Sequence, residues 1–221
     1  MPQNLHHSGL KAKQRNNRAH FPETMGLRVH RAISWIGRAE QADNDYDSKF
    51  IFLWIAFNAA YADEREFQEI AQGERSAFSD YFGKLVRLDT EKRIYNAIWQ
   101  RFSGPVRMLM QNRYLFNPFW QYHNGIEGFE DWEKRFKDSS MKFGQALQTT
   151  DTARVLSFVF DRLYVLRNQL VHGGSTWNST VNRPQVRDGA AILGFLMPVF
   201  VDIMMDHPHE DWGRPFYPVV D

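Results

Sequence analysis

The segment Arg167-Asn168-Gln169-Leu170-Val171-His172, followed by Gly173-Gly174, places a permanent cation, an amide and an imidazole within one short stretch. An arginine guanidinium is planar, always charged and matched to phosphate oxygens. A histidine both accepts and donates protons near neutral pH. Together they are groups that bind a phosphate and move a proton. Asn168 and His172 are four residues apart and share a helix face. Arg167 lies about 140° from His172 around an ideal helix, so the two converge only through the length of the arginine side chain and the ending of the helix. The negative end of the helix dipole favours an imidazolium at His172, which suits a general acid better than a base.

These groups need a rigid support, and the residues before them supply the pattern for one. Val155, Val159, Leu163, Leu166 and Leu170 form a continuous apolar stripe at helical spacing. Asp151 or Thr152 caps the start, and Gly173 and Gly174 supply a left-handed stop after His172. A second helix is expected over Leu27–Gln41, ended by Asp43-Asn44-Asp45. The stretch Asp47–Ala62 is apolar on every side, which marks a central, buried helix. Asn58 within it reads as a buried amide held by a neighbour, or as one reaching the active-site side. Further helices are expected over Ser76–Leu88, Glu91–Phe102, Val106–Leu115 and Asp131–Leu147, with Phe119–Glu127 irregular and aromatic. A last helix runs from Asn182 to Asp206, with Pro198 kinking or dividing it. No alternation calls for a sheet. The reading is therefore an all-α bundle over residues 23–206, with a helical insertion at 64–150, a basic disordered tail at 1–22 and an extended tail at 207–221.

Composition narrows the function classes. Residues of the apolar classes make up 43% and aromatics 15% of 221 residues, a globular chain with a bulky interior. Its 27 basic and 26 acidic residues nearly cancel, so polyanion binding must come from a local patch. With no cysteine there are no disulfides, thiolate metal sites or cysteine nucleophiles, which fits a reducing cytoplasm. The polar, basic N-terminus has no apolar signal segment, and the longest apolar run, Phe50–Phe57, is too short to cross a bilayer. The expected location is cytoplasmic, with no membrane partner.

Other constellations carry less. Arg183 and Arg187, four apart after the motif, are candidate phosphate contacts for RNA, or solvated surface charges. Lys11, Lys13, Arg15 and Arg18 in the acid-free residues 1–22 read as a solvated tail, or as an arm on RNA phosphates. Trp120, Tyr122 and His123 cover a core or stack bases. His207, His209, Glu210 and Asp211 sit in a proline-containing loop and make a poor preformed metal site, and His6-His7 a poorer one. Ser175 and Ser179 lack the strand-turn-helix setting of a nucleophilic serine. No metal or cofactor is expected.

Cleaving RNA by internal transfer requires a proton taken from the 2′-OH, a proton given to the leaving 5′-oxygen, and stabilised charge on the phosphorus oxygens. One Arg and one His are few for this; two copies about a twofold axis are enough, and a symmetric dimer is the commonest oligomer. In this setting the chain resembles the HEPN family of helical bundles, whose motif is Arg, a polar residue, a short spacer and His near a helix end, here Arg167, Asn168 and His172. The segment Phe52-Leu53-Trp54-Ile55-Ala56-Phe57-Asn58 resembles the second bundle helix of the Apea-like members, and Trp177 to Arg183 resembles the block before their closing helix. The resemblance covers roughly residues 25–63 and 150–206. It implies an antiparallel HEPN-type bundle and a metal-independent endoribonuclease of toxin or defence type. In it Arg167 and His172 would be catalytic, with Asn168 positioning them or the phosphate. It also implies a homodimer with facing motifs, and a possible antitoxin or regulatory partner. The alternative is a non-catalytic module of the same fold that binds a nucleotide, RNA or a protein.

Overall fold

The computed structural model describes residues 5–61, 77–215 and 217–219. Among them the chain is all-α, with ten helices and no strand. We label the helices α1 (His7–Asn17), α2 (Glu23–Glu40), α3 (Tyr46–Tyr61), α4 (Ala77–Leu88), α5 (Arg93–Asn96), α6 (Ser103–Gln111), α7 (Asn117–His123), α8 (Trp132–Gln148), α9 (Thr152–Val171) and α10 (Arg183–Asp206).

The core forms where α2, α3 and α10 pack on one another and α9 packs against α4. Phe57 of α3 lies at its aromatic centre, 4.6 Å from Phe160 of α9 and 6.1 Å from Phe82 of α4, with Phe200 of α10 6.1 Å from Phe82. Gly189 allows α10 to come this close, because a Cβ there would lie 2.9 Å from the Phe50 ring and 3.1 Å from Leu163. Helix α10 is long and apolar enough to cross a membrane, but 78% of its most apolar window is buried inside the bundle. Its apolar surface is used by the core.

Several expectations are corrected. Residues 1–22 are not a disordered tail throughout: His7–Asn17 is helical, with Leu10 and Gln14 buried. Lys13 explains why, since its ammonium lies 2.6 Å from Asp202 and 2.7 Å from Asp206, and Asp202 also takes Arg93 at 2.6 Å. One buried carboxylate thus ties α1, α10 and α5 together. The expected insertion at 64–150 is helical where described, yet it is not separate from the core. Phe82 and Leu85 are fully buried within the same core as α9, and residues 64–76 lie outside the described part. The stretch around Trp120 forms the short helix α7, started by Pro118 in its first turn. Pro198 does not divide α10; the burial of Met197, Val199 and Phe200 around it outweighs the roughly 3 kcal/mol such a proline costs. Asn58 is exposed rather than buried. At the far end, Arg28 donates to the Gly213 and Arg214 carbonyls and Arg31 to that of Tyr217, so the C-terminal segment runs across α2.

Candidate functional site

The last turn of α9 carries the motif on a firmly held backbone. Val155, Val159, Leu163 and Leu166 are completely buried, which fixes the helix in the bundle up to the residue before Arg167. His172 is the C-cap, with φ −94° and ψ 14°. Gly173 takes a left-handed φ of +71°, and the Gly174 N–H donates back to the Gln169 carbonyl at 2.7 Å. This is a glycine-dependent Schellman closure, and it ends the helix abruptly behind the imidazole. Gly174 is constrained as well: a Cβ there would sit 3.1 Å from that same carbonyl oxygen.

Arg167 is half-buried, and its Nη1 donates to the Asn168 side-chain oxygen at 2.9 Å. The Asn168 backbone carbonyl in turn accepts the His172 N–H at 2.9 Å. The amide therefore ties the guanidinium to Asn168, which shares a helix face with His172. Among the described residues Arg167 has no carboxylate partner, and the exposed His172 imidazole makes no hydrogen bond or ion pair. A half-buried guanidinium without an anion still holds unused N–H donors. The exposed His172 ring lies at the same helix end.

The other cations behave differently. Arg183 Nη2 lies 2.6 Å from Asp47 Oδ2, and its Nε donates to the Ser179 carbonyl. Asp47 also accepts the Asn178 N–H at 3.1 Å, where Asn178 has a left-handed φ of +55°. Arg183 is thus engaged in fastening the 173–182 loop to the start of α3. Arg187 is exposed beside Asp188 at 3.6 Å. The neighbouring Asp45 caps α3 by accepting from the Ser48 N–H and hydroxyl, and accepts from Trp177 Nε1. Burial works to raise the Asp45 pKa, but these hydrogen bonds outweigh it and leave the carboxyl below its ordinary value.

Two residues that matter here were not singled out from sequence. Asp47 gave no signal beyond its place in an acidic helix start. Gln169, inside the motif, donates from Nε2 to the Tyr114 carbonyl at 2.6 Å and clips the aromatic stretch to α9. Only the fold could reveal a contact spanning 55 residues.

A cavity of about 1030 Å³ lies away from this site, lined in part by Lys13, Arg93, Asp202 and Asp206. Lys13 and Arg93 are already paired with those carboxylates, which a phosphate would have to displace. Among the described residues no three His, Asp or Glu side chains converge on one point. No protein-family model, curated protein or solved structure matches the chain.

Proposed function

We propose that this protein is a metal-independent endoribonuclease of the HEPN type, working as a homodimer with the two α9 ends facing each other. The observation that carries the reading is the pair at the end of α9: among the described residues, Arg167 is half-buried with no carboxylate partner and the His172 imidazole is unengaged. In the reaction the 2′-oxygen forms a bond to phosphorus as its proton leaves to a base. The bond from phosphorus to the 5′-oxygen breaks as that oxygen takes a proton, giving a 2′,3′-cyclic phosphate and a 5′-hydroxyl. Arg167 holds the charge that builds on the non-bridging oxygens. His172 gives or relays the proton. Asn168 keeps the guanidinium turned toward the phosphate. Two copies supply the second proton-transfer group that one chain lacks.

The test uses the purified protein on single-stranded RNA, with and without EDTA, reading product ends. His172→Ala and Arg167→Ala are each expected to lose cleavage by about 100-fold or more while keeping wild-type circular dichroism. EDTA should leave the wild type unaffected. Cleavage that survives both substitutions, or that stops with EDTA, overturns the reading. RNA bound but never cut assigns the site to a non-catalytic module.

A further inference from the structure

Arg162, Gln169 and His172 lie along one strip of α9, at spacings of seven and three. The segment between α6 and α8 covers this strip from the N-terminal side. The Arg162 guanidinium stands 4.6 Å from the Phe116 ring, and Gln169 holds the Tyr114 carbonyl, which also accepts from Trp120 Nε1 at 2.8 Å. The cover stops there, and the next position on the strip is the free His172. The aromatic block therefore forms a shelf at the edge of the motif, fixed by the Tyr114 carbonyl and by the Phe116 and Phe119 rings.

The rings on this shelf pack on one another and on Arg113, and part of each still faces solvent. Tyr114 is 48% exposed, Trp120 36% and Tyr122 43%. Between Asn112–Tyr114 and the start of α8 lies a cleft of about 460 Å³, lined by Arg113, Tyr114, Trp132, Glu133 and Phe136 among others. That is within the size range of small-molecule sites. Arg113 packs over the Tyr114 and Phe119 rings at 5.1 and 5.8 Å and has no carboxylate partner among the described residues. An aromatic shelf with an unpaired guanidinium, clipped to Gln169 three residues before His172, matches unpaired bases on a phosphate backbone.

We infer that this shelf, on the Gln169 side of the end of α9, is a stacking site for an unpaired nucleobase flanking the proposed RNA site. The inference rests on the reading of Arg167 and His172 as an RNA site. A base stacks on Tyr114 within the cleft, and Arg113 takes a neighbouring phosphate. Glu133, the acid in the lining, accepts from an exocyclic amino group and so favours bases that carry one.

The test places the shelf substitutions in a His172→Ala background, which binds without cutting. Probes are a single-stranded RNA carrying one 2-aminopurine, and an RNA duplex of the same sequence. Tighter binding of the single strand is expected, with 2-aminopurine quenching. Tyr114→Ala should weaken single-strand binding about tenfold or more and remove the quenching, as loss of one stacked base does. Its main-chain carbonyl, and hence the clip to Gln169, is retained. Tyr114→Phe should bind like its parent, which separates lost stacking from lost folding. Equal affinity for strand and duplex, an unchanged Tyr114→Ala, or no RNA binding overturns the shelf. Strand binding that depends on Tyr114 in a protein that never cuts RNA keeps the shelf and removes only the nuclease reading.

Discussion

What separates the arginines of this protein is the company they keep. Arg93 and Arg183 each meet a buried or nearly buried carboxylate at 2.6 Å, and both are structural fasteners. Arg167 has an amide instead, which orients a guanidinium without neutralising it. The carboxylate that decides this near the site is Asp47, only 8% exposed, which receives both Arg183 and the Asn178 N–H. Removing it strands a largely covered cation and an N–H donor together. Asp47→Ala is therefore expected to lower stability by about 3 kcal/mol, in the range found for breaking one side of a buried pair. Urea denaturation measures it. A loss under about 0.5 kcal/mol, the size of an ordinary surface change, would show that the loop is held by other contacts.

At the scale of elements, helices whose stability comes from an apolar stripe were legible and those held by charge were not. Val155, Val159, Leu163 and Leu166 announced α9, and Gly173 its end, because both signals are local. The sequence of α1 offers a single buried leucine, and its support comes from Asp202, 189 residues from Lys13. Asn58 was misplaced for a related reason: α3 is apolar all round, so packing alone decides which side faces water. The motif residues were readable as types, whereas the Gln169–Tyr114 clip depends on a long-range approach that no spacing encodes. The hold on α1 has a pH consequence. Lys11 Nζ donates to His30 Nδ1 at 3.3 Å, which requires a neutral ring. Burial, then Lys11 and Arg31, lower the His30 pKa from 6.5. The folded state therefore binds fewer protons than the unfolded one, and this contribution is complete above pH 6.5 and shrinks as pH falls below it. Hydrogen exchange, corrected for intrinsic rates, should show α1 amides less protected at pH 5.5 than at 7.5. His30→Gln should reduce the difference, and an equal pH response in that variant would place the cause elsewhere.

For the whole molecule the question is stoichiometry. One chain brings one Arg167 and one His172 to a reaction that takes up one proton and gives up another, so the proposed activity belongs to a pair of chains. The surface around the end of α9 has the character such pairing needs: Val171 is 49% exposed, Trp177 73% and Val181 88%, all within one turn or loop of the imidazole. Under the proposed function, these exposed apolar groups are the surface that a twofold contact there would cover. Sedimentation velocity should find a dimer, and specific cleavage activity should fall as the protein is diluted through the dissociation range. Val181→Glu is the sharper probe, because its side chain serves no contact within the subunit that its exposure would allow to matter, while a twofold axis would bring two new carboxylates near each other. That variant should keep its helicity, sediment as a monomer and lose cleavage. A monomer that cuts RNA at undiminished specific activity would mean that a single α9 end performs the chemistry, and the second proton-transfer group would then have to be found within one chain.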